Sequence, residues 1–160
     1  MFAIRKLEAR DRESFQAFIR ELSGESRVNR FLAPVQELAP AVLGVLTQPD
    51  QARHVALIAV EGDRIIAEGR YVTLEDGRRG EFAIAVADER QRQGIGSRML
   101  GALIAAARRA GLAILEGDVL RSNAAMLGLM RRAGFRLKPA PGNAGIVVAE
   151  CELGRTSMAA

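Results

Sequence analysis

Apolar positions change their period along this chain, and each change marks an element. "FAIRKL" (2–7) alternates like a short strand. Asp11 stands where a helix cap belongs, and Phe15, Phe18, Ile19 and Leu22 follow at the spacing of one helical face until Ser23 and Gly24 close it. Residues 23–34 read as a loop. Pro34 and Pro40 punctuate a second helical region, about 35–47, whose Val42, Leu43 and Leu46 are placed to cover an apolar surface.

From residue 53 the period becomes that of strands. "HVALIAV" (54–60) is nearly all apolar, Gly62-Asp63 makes a two-residue turn, and "RIIAEGRYVTLE" (64–75) returns from it. A second turn at Asp76-Gly77 leads into "GEFAIAVAD" (80–88), with Glu81, Ala83 and Ala85 on one face and Phe82, Ile84 and Val86 on the other. Three antiparallel strands in sequence result. A helix then runs to about Ala110, with Met99, Leu103, Ile104 and Ala107 inward and Gly111 as its stop. "LAILEGDVL" (112–120) is a strand joined to the previous one through that helix, so the two lie parallel by a right-handed crossover. Ser122 caps a helix over 123–133, Gly134 ends it, and "FRL" (135–137) and "GIVVAECEL" (145–153) form a closing strand pair. The order β, α, α, β, β, β, α, β, α, β, β predicts an α/β protein of the α+β type. It has one mixed sheet with helices on both faces, and a single domain over 1–160 without a repeat or a domain-sized linker.

Composition narrows the setting. With 49% hydrophobic and 26% charged residues and a mean hydropathy close to zero, the chain has the make-up of an ordinary globular domain. Charge appears by the fifth residue, and no apolar run approaches the roughly 18 residues of a membrane span, so no membrane partner is expected. Cys151 is the only cysteine, which rules out an internal disulfide and a cysteine-rich metal site and fits a cytoplasmic protein. The net charge is +4, but its 21 arginines and two lysines are spread over the whole chain, and only seven residues are aromatic. A nucleic-acid partner is therefore not expected.

The stretch that carries chemistry is "ERQRQGIGSRML" (89–100). Strand, tight glycine turn and helix place free backbone N–H groups at the positive end of a helix dipole, which is an anion site. Gly94 and Gly96 let a pyrophosphate approach the main chain, and Arg92 and Arg98 add charge from the sides. The spacing is neither that of a dinucleotide fold nor that of a P-loop. Two glycines alone are equally compatible with a plain helix-start turn.

"QRQGIG" (91–96), preceded by "EFAIAVAD" and followed about 30 residues later by "SNAAMLGLMRRAGF", resembles the GNAT superfamily of acyl-CoA N-acyltransferases, whose pattern Q/R-x-x-G-x-G/A grips the pyrophosphate of acetyl-CoA. "SGESRVNRFLAP", "ELAPAVLGVLTQPD", "GEFAIAV" and "LEGDVLRSNAAMLGLMRRAGF" together look like the acetyltransferase domain of bacterial protein lysine acetyltransferases. The resemblance implies a GNAT-like fold, mostly antiparallel, with one parallel strand pair around the acyl-CoA site. It implies an enzyme with acetyl-CoA as co-substrate and no metal. Ile84, Ala85 and Val86 would make backbone contacts with the acetyl-pantetheine arm. Gln91 would start the pyrophosphate loop, and Arg92, Gln93, Gly94, Ile95, Gly96 and Ser97 would form it. Asn123 matches the asparagine that meets the cofactor arm, and is alternatively a helix-start residue. The favoured acceptor is a protein lysine side chain. A small-molecule amine and a non-catalytic acetyl-CoA-sensing module are the alternatives, and a homodimer is compatible. Ser26, Arg27 and Arg30 would hold a protein surface or close over a small substrate.

An amine of the lysine type has an ordinary pKa near 10.4, so only about one molecule in a thousand is neutral at pH 7.4, a cost of about 4 kcal/mol. A carboxylate that takes the proton is the first group to seek. Glu81 begins the strand whose later residues meet the acetyl group, and the matching family position often holds the base. Glu116, in "LEGDV", is the second candidate, or else the partner of an arginine. The Val86 N–H is placed to polarise the thioester carbonyl. Cys151 has no histidine near it in the sequence and reads as a small buried hydrophobe. One departure stands out: many relatives place a tyrosine seven residues after the asparagine to protonate the leaving thiolate, and this chain has Met130 there. Tyr71 and His54 do not occupy that position. A thiol of pKa near 8.5 leaves tolerably as thiolate, so direct transfer remains chemically sound.

Overall fold

The alternating stretch 54–86 folds as an antiparallel meander of β2 (His54–Glu61), β3 (Arg64–Thr73) and β4 (Arg79–Val86), with β1 (Ala3–Lys6) on its outer edge. The computed structural model describes residues 1–154, and the last six residues of the expected 1–160 domain lie outside the described residues. Beyond β4 the sheet continues with β5 (Ile114–Leu120), which runs parallel to it, then β7 (Asn143–Glu152) and β6 (Arg136–Ala140), both in antiparallel pairings. Seven strands thus form one mixed sheet with a single parallel pair.

Strand pleating assigns the helices to opposite faces. Helix α4 (Ile95–Arg109) buries Met99, Leu103 and Ala107 against the face on which Gly69 lies, as its period predicts, with Leu100 buried as well and Ile104 only partly. Helix α5 (Ala124–Arg132) shares that side, its Leu129 packed near Gly96. On the other face lie α1 (Arg12–Glu21), α2 (Gly24–Phe31) and α3 (Pro40–Thr47): the Arg70 guanidinium sits 5.3 Å from the Phe15 ring centroid, and Arg30 of α2 pairs with Glu68. These helices cover the β2–β4 half of their face. Over β5, β7 and β6 the same face is open, and Asp118, Arg136 and Lys138 stand exposed on it. No helix among the described residues is long and apolar enough to cross a membrane.

Five local expectations are corrected. Residues 23–34 are not a loop, because Ser23 Oγ accepts the Ser26 N–H at 3.1 Å and starts α2, which ends where Leu32 turns left-handed. The helix expected over 35–47 begins only at Pro40. The chain before it is held open by Gln16, whose amide exchanges bonds of 2.8 and 3.0 Å with the Leu38 backbone. Val42, expected inward, is 47% exposed. Asp11 does not cap α1 through its side chain. It closes the preceding 3₁₀ turn, accepting from the Glu8 N–H at 2.8 Å and from the Arg5 guanidinium at 2.7 and 2.8 Å. The cap of α5 is Asn123 rather than Ser122, with Oδ1 accepting from the Met126 N–H at 3.2 Å.

Candidate active site

The parallel ladder between β4 and β5 is three rungs long, Arg79↔Ile114, Gly80↔Leu115 and Glu81↔Glu116, although both strands run on well past it. β4 stays with β3 over its full length and β5 stays with β7, so the sheet parts between them and leaves a widening gap. At the point of parting, Gly117 lies so close to β4 that a Cβ would sit 2.8 Å from the Phe82 carbonyl oxygen. Only glycine tolerates that approach.

Hydrogen-bond phase decides which β4 groups line the gap. Ala87 donates to the Ile66 carbonyl and Leu74 to the Arg79 carbonyl, each at 2.8 Å, so the odd residues of β4 are bonded to β3. Ile84 and Val86 therefore turn their backbone groups toward the gap. Ala85, grouped with them in the sequence, turns its own to β3. The Val86 carbonyl accepts from Gln91 Nε2 at 3.1 Å, which leaves its N–H as the donor on the gap wall.

Past β4 the chain makes a short 3₁₀ turn, Asp88–Arg90, and reaches the glycine corner. Arg92 and Gly94 are both left-handed, with φ of +64° and +84°. For a side-chain-bearing residue this conformation costs about 1–2 kcal/mol, and such outliers cluster where ligands bind. The first intrahelical bond of α4 runs from the Arg98 N–H to the Gly94 carbonyl at 3.1 Å, so the N–H groups of Ile95, Gly96 and Ser97, ahead of it, point out of a fifteen-residue helix end. The corner's foundations are fixed: Gln93 Nε2 donates to the Glu89 carbonyl at 3.2 Å, Glu89 pairs with Arg64, and Arg90 pairs with Glu61. Arg98, expected to flank the corner as a free charge, lies over the Phe2 ring at 4.6 Å. Asn123 sits beyond β5 as the cap of α5, so its carbonyl oxygen is already engaged.

The two candidate carboxylates are side by side in register. Glu81 reaches solvent from the open face, yet partial burial, then the charges of Asp118 and Glu116, push its carboxyl above the usual range. Glu116 instead accepts from Arg79 Nη1 at 3.3 Å. Asp118, two residues past Glu116 on the same face of β5, is brought near Glu81 only by the strand register, which the sequence does not display.

Ser26, Arg27 and Arg30 are tied into the fold, Ser26 through Asp88 at 3.0 Å. Arg27 binds the carbonyls of Val35 at 2.7 Å and Arg20 at 3.2 Å, and also that of Leu22. Arg30 pairs with the fully buried Glu68, which Arg70 Nε also reaches at 2.9 Å. Burial alone would raise the Glu68 carboxyl, but the two guanidiniums hold it below the usual range. Arg70 Nη1 also lies 2.9 Å from His54 Nε2, and burial together with that cation lowers the His54 pKa. His54 thus belongs to a structural cluster. Tyr71 and Met130 are wholly buried, so neither offers an acid to the gap. Cys151 is half-buried on β7, and burial pushes its thiol up, away from the reactive thiolate.

Residues 15–135 match the family model for the acetyltransferase (GNAT) family. Acetyltransferase PA5475 of Pseudomonas aeruginosa is 32% identical over 136 residues, 82% of this chain and 73% of that protein. Acetyltransferase Pat of Mycolicibacterium smegmatis is 35% identical over 117 residues, 71% of this chain but only 35% of the relative, so the match spans about a third of that longer protein. Among solved structures, the GNAT domain of S. lividans PAT superposes with a TM-score of 0.88 at 28% identity, covering 93% of this chain and 89% of that one.

Proposed function

The chain belongs to the acetyltransferase (GNAT) family, and from that premise we propose that it acetylates a primary amine, with a protein lysine side chain as the acceptor, acetyl-CoA as the donor and Glu81 as the general base. The observation that carries this reading is the joint geometry of the β4–β5 gap: the Val86 N–H lies on its wall, Glu81 stands at its narrow end, and the helix end with its outward N–H groups lies just past β4.

The residues present suit the coenzyme. Arg92 through Ser97 offer main-chain donors and a positive helix end to a diphosphate. The strand edge at Ile84 and Val86 offers unpaired backbone groups to an amide-bearing arm. Acetyl-CoA supplies an acyl thioester open to direct attack by an amine. Glu81 takes the proton of the acceptor ammonium, directly or through one water, and its raised pKa brings it closer to the working pH. The Val86 N–H is the group available to polarise the carbonyl under attack. Met130 is part of the core and has no proton to give, so a leaving thiolate would take its proton from solvent or from the nitrogen that has attacked.

Two features support a protein acceptor. The chain resembles protein lysine acetyltransferase domains over several stretches, and the face carrying Glu81 is uncovered from β5 to β6, leaving room for a bulky partner. Incubation with acetyl-CoA and cell-lysate proteins, beside a panel of free amines, tests this by mass spectrometry. New acetyl-lysine in proteins is expected. Transfer to free amines alone overturns the acceptor, and no transfer to either overturns the enzyme.

A further inference from the structure

Helix α2 lies against β4 on a thin apolar footing: none of its residues is fully buried, and only Phe31, at its end, packs partly buried against the core. Beyond the pairing of Arg30 with Glu68 and the bonds of Arg27, its fixings lead to the coenzyme corner. The Ser23 N–H donates to Asp88 Oδ1 at 2.9 Å, and Ser26 Oγ donates to Asp88 Oδ2 at 3.0 Å. Gln91 Nε2 donates to Ser26 Oγ at 3.3 Å and to the Val86 carbonyl at 3.1 Å. One hydroxyl therefore sits between the helix, the turn ahead of the corner, the first residue of the corner and, through Gln91, the end of the gap wall. These bonds hold the Asp88 carboxyl below its ordinary pKa although burial alone would raise it, so it is an ionised acceptor at neutral pH.

We propose that Ser26 is a positioning residue that couples the two substrate sites, so that coenzyme in the corner orders α2 as the edge of the acceptor cleft. The inference rests on the coenzyme site proposed above. An element with few buried contacts opens locally at small cost, and a ligand that fixes its tethers spares the second ligand that ordering. The corner holds Gln91, and the turn ahead of it holds Asp88. Immobilising both leaves Ser26 with two fixed partners and stiffens the helix that carries it. α2 lies on the same face as Glu81, its Arg30 paired to Glu68, the register partner of Ala85, two residues beyond Ala83 and four beyond Glu81 on β4. Coenzyme in the corner therefore presents the acceptor with a set cleft. By linkage, acceptor binding tightens coenzyme binding by the same factor.

Hydrogen exchange followed by mass spectrometry, with and without coenzyme A, tests this on the whole chain. Amides of residues 92–97 report coenzyme binding and those of 24–31 report α2. In the wild type, coenzyme A is expected to slow both, α2 by about fivefold or more. In Ser26→Ala the corner is expected to keep its protection while α2 loses its response. Ser26→Thr, which keeps the hydroxyl, restores it, and Asp88→Asn, which removes the charge on the shared acceptor, weakens it. A wild-type α2 indifferent to coenzyme beside a protected corner overturns the coupling, as does an undiminished response in Ser26→Ala. Absence of protection at the corner itself overturns the coenzyme site, and the coupling with it.

Discussion

Glu81 and Glu116 face each other across the last rung of the parallel β4–β5 ladder, and only Glu116 is held by a cation. Arg79 Nη1 lies 3.3 Å from Glu116 and 3.5 Å from Glu150, whose other oxygen is 3.0 Å from Lys138 Nζ. Among the described residues Glu81 makes no ion pair. Two neighbouring carboxylates that the sequence offers as equals in kind are thereby divided: one is tied into a charge network on the open face, the other has no cationic partner among the described residues.

Replacing Glu81 with Gln keeps the shape and removes the proposed base. The expected result is a fall in kcat of about 10²–10⁴-fold, with the affinity for coenzyme A, measured by calorimetry, close to that of wild type. An unchanged rate takes Glu81 out of the mechanism.

The pH profile carries a sign. As the proposed base Glu81 would work deprotonated, so kcat/KM should rise with pH along a limb placed above the ordinary carboxylate range, because burial and the charges of Asp118 and Glu116 raise its pKa. The other charged or titratable groups on that face are Arg79 on its own strand and, across β3 and β2, Arg70 and His54. Arg79→Ala strips the counter-charge from Glu116 and should move the limb up by about one pH unit. Glu116→Gln removes a like charge and should move it down. A limb that ignores both changes does not belong to Glu81.

The same raised pKa acts against stability. The folded chain holds the Glu81 proton more tightly than the unfolded chain, so this site's contribution is fully present below the unfolded pKa and is lost as pH rises through the folded one. Near neutral pH the Glu81→Gln variant should therefore melt slightly above wild type, while at acidic pH the two should converge. A lower melting temperature at neutral pH contradicts this.

At Gly94 a Cβ would meet nothing within 4 Å, so Gly94→Glu has space and should lose only about 1–2 kcal/mol through its left-handed φ of +84°. Its carboxylate, however, stands at the anion corner. Coenzyme A binding should disappear from calorimetry while the thermal transition stays cooperative. Normal binding would place the coenzyme elsewhere.

Gly117→Ala tests the parting of the strands. Its Cβ would press on the Phe82 carbonyl at 2.8 Å, backbone that cannot swing aside, and a destabilisation of about 1–3 kcal/mol is expected in chemical denaturation. Stability and activity equal to wild type would mean that β4 and β5 do not approach so closely.

The sequence by itself determined what is written within a few consecutive residues: the period-two strands from His54 to Val86, the helical face of Met99, Leu103 and Ala107, and a corner whose Gly94 takes the left-handed turn that a bare helix end requires. Only the tertiary structure decided what depends on distant partners. α2 has only Val28 and Phe31 to mark an apolar face and is tied down by Ser23 and Ser26 meeting Asp88, more than sixty residues away. The backbone of Ala85 turns from the gap because of its bonding phase with β3, and Glu116 is committed by Arg79, 37 residues earlier. Local periodicity reports which way a residue faces in its own element, whereas the pairing of its charge or backbone is fixed by what the fold brings opposite it.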